Sequence, residues 1–154
     1  MRILVTGGAG FIGSHLVDEL VRSGHQVRVL DSLEKQVHHG KKPNYLNSEA
    51  EYVWGNVCDE ERIKQSLKGV EVVFHLAAQV GVGQSMYELQ RYIRDNSLGT
   101  GILLEALLKR KKPIQKLIVA SSMSIYGEGA YCCKECGTVN PQERPVEQLR
   151  KGDW

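Results

Sequence analysis

The chain has 154 residues, of which 42% are hydrophobic and 25% are charged; this size and composition are typical of one globular domain with its own apolar core. Lys and Arg together number 20 and Asp and Glu 18, so the net charge of +2 lacks the basic excess that favours binding to nucleic acids or anionic membranes. No apolar run is long enough for a signal peptide or a membrane span, and we expect a cytoplasmic protein with small-molecule ligands.

Short runs rich in β-branched residues alternate with helix-like segments along most of the chain. Polar residues 32–50 interrupt this alternation and predict a surface excursion with room for a short helix. The alternation predicts an α/β fold, a parallel sheet of about five strands flanked by helices. The predicted strands are 3–5, 26–30, 51–54, 70–75 and 116–120, and the predicted helices are 12–23, about 59–68 and about 87–110.

The pattern changes near residue 127. Residues 127–154 contain Gly, Pro, Cys and charged residues without an apolar period, which predicts an irregular, cysteine-containing tail that ends in a loop. We therefore divide the chain into a dinucleotide-binding domain over residues 1–126 and a tail over 127–154. If the fifth strand lies at the edge of the sheet, its unpaired backbone groups favour association, and we expect a homodimer.

A glycine-rich turn joins the first predicted strand to the first predicted helix. Gly7, Gly10 and Gly13 follow the spacing G-x-x-G-x-x-G. Backbone without side chains lets a pyrophosphate approach, and the helix amino end around Phe11 and Ile12 offers free N–H groups and a positive dipole. A tight turn without a ligand is the alternative, but the order of strand, glycines and helix predicts a dinucleotide site.

Asp31 ends the second predicted strand, 18 residues after Gly13. An acidic side chain near this position accepts hydrogen bonds from the adenosine ribose in dinucleotide-binding folds, and its charge repels a 2′-phosphate. We therefore predict NAD as the cofactor rather than NADP. Arg28 and Lys35 lie nearby in sequence and leave NADP open, and a solvated strand end is the alternative for Asp31.

Three further segments accompany the glycine turn. They are 75–78 (HLAA), 96–100 (NSLGT) with 103–106 (LLEA), and 121–127 (SSMSIYG). Together with the glycine turn they resemble the extended short-chain dehydrogenases, specifically the NAD-dependent epimerase/dehydratase family, typified by UDP-glucose 4-epimerase. The resemblance covers residues 1 to about 128, the N-terminal portion of that family. It implies a Rossmann-type fold, truncated relative to the family, and a nucleotide-sugar substrate for an oxidoreductase or isomerase.

The resemblance also implies contacts with the cofactor. Leu76, Ala77 and Ala78 would line the ribose on the nicotinamide side. Asn56 and Val57 would meet the adenine, where the family more often has an acidic residue in place of the asparagine.

Two serines and an asparagine complete the set of candidate residues. The resemblance gives Ser122 a hydrogen bond to the reacting sugar hydroxyl and places Ser124 facing the substrate. A hydroxyl at the carboxyl end of a parallel strand points into the ligand crevice and can both donate and accept a hydrogen bond. Serines satisfied by the backbone are the alternative. Asn96 is a poor choice for the middle of a helix, so it is either structural or close to the cofactor.

The sequence departs from the family in its catalytic pair. Hydride chemistry there uses Tyr-x-x-x-Lys, in which the Tyr moves the hydroxyl proton and the Lys lowers the pKa of the Tyr. No Tyr among residues 1–154 has a Lys four positions later. We expect the chain to bind the cofactor without turnover, with Ser122 only auxiliary. A non-catalytic dinucleotide-sensing or protein-interaction module is the alternative hypothesis.

Three of the four cysteines are crowded into five positions, a poor disulfide framework that indicates a reducing compartment. Cys133-x-x-Cys136 followed by Gly137 resembles one knuckle of a zinc ribbon. A closed zinc site needs four ligands, usually two such pairs, and Cys132 adjoins Cys133 too closely to act easily as a third. We expect free thiols and no metal, with half a zinc site as the alternative.

Overall fold

The computed structural model describes residues 1–153, which form two compact units. The first unit is Met1–Ala120 and the second begins at Ser121. The strands of the first unit are β1 (Arg2–Thr6), β2 (Gln26–Asp31), β3 (Glu51–Trp54), β4 (Val72–His75) and β5 (Lys116–Val119). Its helices are α1 (Phe11–Arg22), α2 (Lys35–His38), α3 (Glu60–Ser66), α4 (Val82–Ser85), α5 (Leu89–Tyr92) and α6 (Gly99–Leu108).

The five strands form one parallel sheet in the order β3-β2-β1-β4-β5. In the register, Val5 on the central strand pairs with Val29 on β2 and Phe74 on β4. The predicted Rossmann-type fold is therefore confirmed. The strand order reverses between β1 and β4, and open sheets of this type bind ligands at the carboxyl ends of the strands beside such a reversal. β5 is an outer strand of this sheet. Association of two chains through this strand stays a prediction.

Apolar side chains cover both faces of the sheet. Leu4 on β1 packs on one face with Ile63 of α3 and Leu103 of α6. Its neighbour Val5 points to the other face and packs with Val17 of α1. Successive residues of a strand point to opposite faces, so a central strand that is covered on both sides needs a continuous apolar run. This requirement explains why β1 has no polar alternation.

The helix predicted at about 87–110 is a helical stretch with one wider turn. A π-helical segment, Ile93–Leu98, lies between α5 and α6, and it turns Asp95 into the protein, where only 4% of the residue is exposed.

The polar excursion 32–50 contains the short helix α2. Among the described residues, no helix is both long and apolar enough to cross a membrane.

The tail over residues 127–154 is less irregular than predicted, because its described part contains regular elements. The second unit contains an antiparallel hairpin of β6 (Tyr131–Cys133) and β7 (Gly137–Val139) and a short helix α7 (Val146–Arg150). These strands are three residues long and largely exposed. Such strands are too short to show a hydrophobic period, and this explains why the pattern gave no signal.

Candidate functional site

The glycine turn lies at the carboxyl end of β1, between β2 and the segment that follows β4. Gly7 adopts a left-handed backbone conformation with φ of +71°, and its N–H donates to the carbonyl oxygen of Leu30 at 2.9 Å. A Cβ at this position would lie 2.8 Å from the backbone nitrogen of Ala77. Only glycine satisfies both the conformation and the close approach.

Gly13 and Gly10 face different surroundings. A Cβ on Gly13 would overlap the carbonyl oxygen of Gly7 and would lie 2.7 Å from the Cα of Gly8, so α1 packs directly on the backbone of the turn. Gly10 has φ of −74° and ψ of 178°, a conformation open to any residue. A Cβ there would touch only the oxygen of Gly7, at 3.4 Å. Packing therefore requires Gly13, whereas the lack of a side chain at Gly10 leaves space before the helix.

The amino end of α1 has the features of an anion site. Gly10 is the N-cap, and in the described chain no side chain caps this helix and no acidic residue occupies its first turn. The residues of that turn include Phe11 and Ile12, whose side chains are largely exposed. The first N–H groups of a helix lack internal acceptors and carry its positive dipole end. An anion can satisfy these donors without displacing a protein group.

Asp31 faces this turn. Its Oδ2 accepts from the N–H of Ala9 at 3.0 Å, and its Oδ1 accepts from the N–H of Leu33 at 2.8 Å. Leu33 adopts a left-handed φ of +50°, unusual for a branched residue. A carboxylate has about four acceptor positions. The two N–H bonds fix the orientation of the group and leave acceptor capacity for ligand hydroxyls.

Sequence reasoning missed two residues of the excursion 32–50, one of which contacts Asp31 and the other the glycine turn. His38 is buried, and its Nε2 lies 3.9 Å from Oδ1 of Asp31. The hydroxyl of Tyr45 donates to the carbonyl oxygen of Ala9 at 2.8 Å. The excursion thus packs against the glycine turn. Its polar composition and lack of periodicity gave no indication of these contacts.

The guanidinium of Arg28 has partners within the protein. Its Nη1 donates to the carbonyl oxygens of Ser66 and Lys68, both at 2.9 Å, and its Nη2 forms an ion pair with Glu51 at 2.8 Å. The guanidinium therefore caps the carboxyl end of α3 and is largely buried. These contacts engage its charged end within the protein, and the preference for NAD over NADP stays a prediction.

The segment that follows β4 packs on the first strand. The N–H of Leu76 donates to the carbonyl oxygen of Thr6 at 3.1 Å, and the N–H of Ala77 donates to Thr6 Oγ1 at 3.2 Å. Leu76 and Ala77 are half-buried, and Ala78 is exposed. The structure therefore brings this segment beside Gly7, at the crevice where the sheet order reverses.

A hydrogen-bonded chain through His75 holds this segment in place. The hydroxyl of Thr100 donates to the carbonyl oxygen of Asn96 at 2.6 Å, so its oxygen accepts from Nε2 of His75 at 3.0 Å. The oxygen of Thr6 accepts from the N–H of Ala77, and the same hydroxyl lies 2.7 Å from Nδ1 of His75. Burial lowers the pKa of His75 and favours the neutral imidazole. With its hydrogen on Nε2, the neutral ring accepts at Nδ1 from the hydroxyl of Thr6.

His75 should make the fold sensitive to acid. Its pKa is lowered by folding from 6.5, so its contribution is complete above 6.5 and is lost as the pH falls through that value toward the folded-state pKa. We expect the free energy of unfolding to decrease by up to about 1.4 kcal/mol per pH unit in that range. Chemical denaturation at pH values on both sides of 6.5 measures this slope. His75→Gln keeps hydrogen-bonding capacity without titrating, so the free energy of unfolding should depend less on pH in this variant. An equal slope in both proteins would contradict the neutral assignment of His75.

Asn96 and Asp95, neighbours in the π-helical segment, both hold Gln79. Oδ1 of Asn96 accepts from the N–H of Gln79 at 2.7 Å, and its Nδ2 donates to the carbonyl oxygen at 3.0 Å. Asp95 accepts from Nε2 of Gln79 at 2.7 Å. Burial alone would raise the pKa of Asp95, but hydrogen bonds from Arg94, Gln79 and Asn56 outweigh burial and lower it. Sequence reasoning missed Asp95 because helical periodicity does not anticipate a π-helical turn.

Asn56 and Val57 follow the carboxyl end of β3. Oδ1 of Asn56 accepts from the N–H of Cys58 at 2.8 Å, and its Nδ2 donates to Asp95 at 3.3 Å. Val57 is 6% exposed and belongs to the core. Both side chains are thus engaged within the protein, and their predicted contact with an adenine stays a prediction.

The second unit contains both candidate serines. Ser122 is the N-cap of a short 3-10 turn, Met123–Tyr126, and its Oγ accepts from the N–H of Ser124 at 3.2 Å. Both serines are exposed. Their predicted roles toward a substrate stay predictions.

A cavity of about 390 Å³ lies elsewhere in the first unit. Its lining includes Arg2, His25 and Glu49, at the amino ends of β1, β2 and β3. The glycine turn lies at the carboxyl ends of β1 and β2. This cavity is therefore separate from the residues described above.

Comparison with known proteins gives consistent matches. The model of the NAD dependent epimerase/dehydratase family matches residues 3–148. A dTDP-L-rhamnose 4-epimerase of Burkholderia thailandensis is 35% identical over 99% of this chain and 43% of its own length. A putative UDP-glucose 4-epimerase of Methanocaldococcus jannaschii is 45% identical over 90% of this chain and 44% of its own length.

Solved structures give the same result. The UDP-glucose 4-epimerase of Thermotoga maritima with UDP-glucose aligns with a TM-score of 0.72 at 40% identity, covering 84% of this chain and 40% of that one. The UDP-glucose 4-epimerase of Brucella ovis in complex with NAD aligns with a TM-score of 0.68 at 33% identity, covering 82% and 37%. The chain thus spans about two fifths of the length of the proteins it matches.

Proposed function

The chain belongs to the NAD-dependent epimerase/dehydratase family, as the resemblance predicted, and we propose that its first unit binds NAD at the carboxyl ends of β1 and β4. The observation that carries this proposal is the glycine cradle. Gly7 and Gly13 admit no Cβ, and the amino end of α1 has no side-chain cap. A pyrophosphate there would accept hydrogen bonds from the first turn of the helix, around Phe11 and Ile12.

Asp31 would hold the adenosine ribose. Its carboxylate is fixed by the N–H groups of Ala9 and Leu33 and retains acceptor capacity for the two ribose hydroxyls. The same charge disfavours a 2′-phosphate, and Arg28 is engaged at the end of α3. These two observations support NAD over NADP, although Lys35 begins the nearby helix α2.

Two further segments would contact other parts of the cofactor. The segment 76–78, which Asn96 secures through Gln79, would line the ribose on the nicotinamide side. The backbone of Asn56 and Val57 would meet the adenine, because the side chains of both residues are engaged within the protein.

For the whole protein we propose a nucleotide-sugar epimerase or dehydratase activity. The names of the relatives include UDP-glucose 4-epimerase and dTDP-glucose 4,6-dehydratase, and UDP-glucose accompanies the Thermotoga maritima structure. NAD, when bound, supplies a hydride acceptor and donor. Of this chain's own residues, Ser122 would accept a hydrogen bond from the reacting sugar hydroxyl through its Oγ. Ser124 would contact the substrate.

Calorimetric titration tests the cofactor proposal. We expect saturable binding of NAD, and binding of NADP that is weaker by at least about tenfold, or 1.4 kcal/mol, because the 2′-phosphate meets the carboxylate of Asp31. Asp31→Asn keeps the shape and one acceptor but removes the charge. The ratio between the affinities for NAD and NADP should therefore be smaller in this variant than in the wild-type chain.

Two outcomes would contradict this assignment. The first is equal affinity of the wild-type chain for NAD and NADP. The second is a discrimination that Asp31→Asn leaves unchanged, which would mean that another group excludes the phosphate.

A further inference from the structure

The hairpin of the second unit places two cysteines at its tip. Cys133 ends β6 and pairs with Gly137 in the antiparallel register, and Cys136 immediately precedes β7. Lys134 and Glu135 form the turn between the two cysteines. Gly137 has φ of +77°, a left-handed conformation that lets the chain reverse directly after Cys136.

The third cysteine of this region does not share their side of the hairpin. Cys132 pairs with Thr138, one position before Cys133. Successive side chains of a strand point to opposite faces, so Cys132 and Cys133 project in opposite directions. Cys133 and Cys136 are half-buried and exposed, respectively, and no disulfide involves them. The tip thus presents a pair of thiols separate from Cys132.

We propose that Cys133 and Cys136 form one half of a tetrahedral zinc site. Two cysteines separated by two residues are a recurrent chelating unit for Zn²⁺, and thiolate is a preferred ligand of this ion. Binding converts the two thiols to thiolates with the release of two protons. The two cysteines belong to the second unit, whereas the residues around the glycine turn belong to the first.

Two further ligands must come from outside the hairpin. Among the described residues, no group of three or more His, Cys, Asp or Glu side chains is gathered in a metal-binding arrangement. The Cys133 and Cys136 pair of a second copy has the required chemistry, and thiolates or imidazoles elsewhere in this chain are the alternative source. The stoichiometry of binding separates these two sources.

Titration of the reduced chain with Zn²⁺ and with Co²⁺ as a spectroscopic probe tests the proposal. We expect Co²⁺ to give the sulfur-to-metal charge-transfer and tetrahedral ligand-field bands of thiolate coordination, and Zn²⁺ to displace it. Cys133→Ser and Cys136→Ser should each lose these bands, whereas the matched control Cys132→Ser should retain them. Circular dichroism and NAD affinity should be unchanged in all three variants, which separates loss of the site from loss of the fold.

The stoichiometry then identifies the remaining ligands. One metal per chain at constant molecular mass supports ligands from the same chain, and one metal per two chains with metal-dependent dimerisation supports a second copy. The proposal is overturned if the reduced chain binds neither ion, if the bands persist in Cys133→Ser and Cys136→Ser, or if Cys132→Ser abolishes them equally.

Discussion

Gly10→Asp is expected to lose NAD affinity by at least about 100-fold, or 2.7 kcal/mol, while the chain stays folded. Gly10 is the N-cap of α1 in a conformation open to any residue, and its Cβ would touch only the Gly7 oxygen. Aspartate is a favoured N-cap residue and glycine is only slightly poorer, so the substitution should maintain the free energy of unfolding or raise it by roughly a few tenths of a kcal/mol. Its carboxylate would occupy the donors that the pyrophosphate needs and would repel the pyrophosphate electrostatically.

Gly10→Asn is the matched control for this prediction. Asparagine caps a helix as well as aspartate does but carries no charge, so the loss of NAD affinity should be smaller. Calorimetry and thermal denaturation measure the two effects on the same samples. Unchanged NAD affinity in Gly10→Asp would place the pyrophosphate elsewhere.

Gly13→Val should instead destabilise the fold. The three atoms nearest to its Cβ would belong to the backbone of Gly7 and Gly8, which cannot rotate away as a flexible side chain can. Overpacking of this kind costs about 1–3 kcal/mol and more where the backbone must move. We expect a loss of at least about 3 kcal/mol, and NAD binding should fall with it.

Gly101→Ala separates this steric effect from a general effect of substituting a helical glycine. Gly101 lies within α6, and a Cβ there would meet nothing within 4 Å. Alanine at an unobstructed helix position stabilises by up to about 1 kcal/mol. Denaturant unfolding of both variants gives the comparison. A Gly13→Val protein as stable as wild type would refute the close packing of α1 on the glycine turn.

The parallel sheet could be predicted because its requirements are local. Strands covered on both faces need continuous apolar runs, and β1, with Leu4 and Val5 on opposite faces, has one. The glycine turn could be predicted for the same reason, since its spacing and its place between strand and helix are visible in a short window. The role of Asp31 could be proposed from its position at the end of a strand, 18 residues after Gly13.

The supporting contacts could not be predicted because they join distant residues. The chain through His75 links Thr6 to Thr100, and no spacing rule anticipates such a pairing. Arg28 seemed available to a phosphate because it precedes Asp31 by three residues, yet it caps α3. The register and the packing of whole elements decide these contacts, and a pattern in one short window contains neither.

The most direct test of the account is an amide NMR titration of the chain with NAD. The central claim places the pyrophosphate at the first turn of α1, so the largest shifts should occur at the N–H groups of Phe11, Ile12 and Gly13, followed by those around Asp31. The cavity at the amino ends of β1, β2 and β3 is the natural alternative site. Shifts confined to that cavity, with the amides of Phe11–Gly13 unchanged, would contradict the claim.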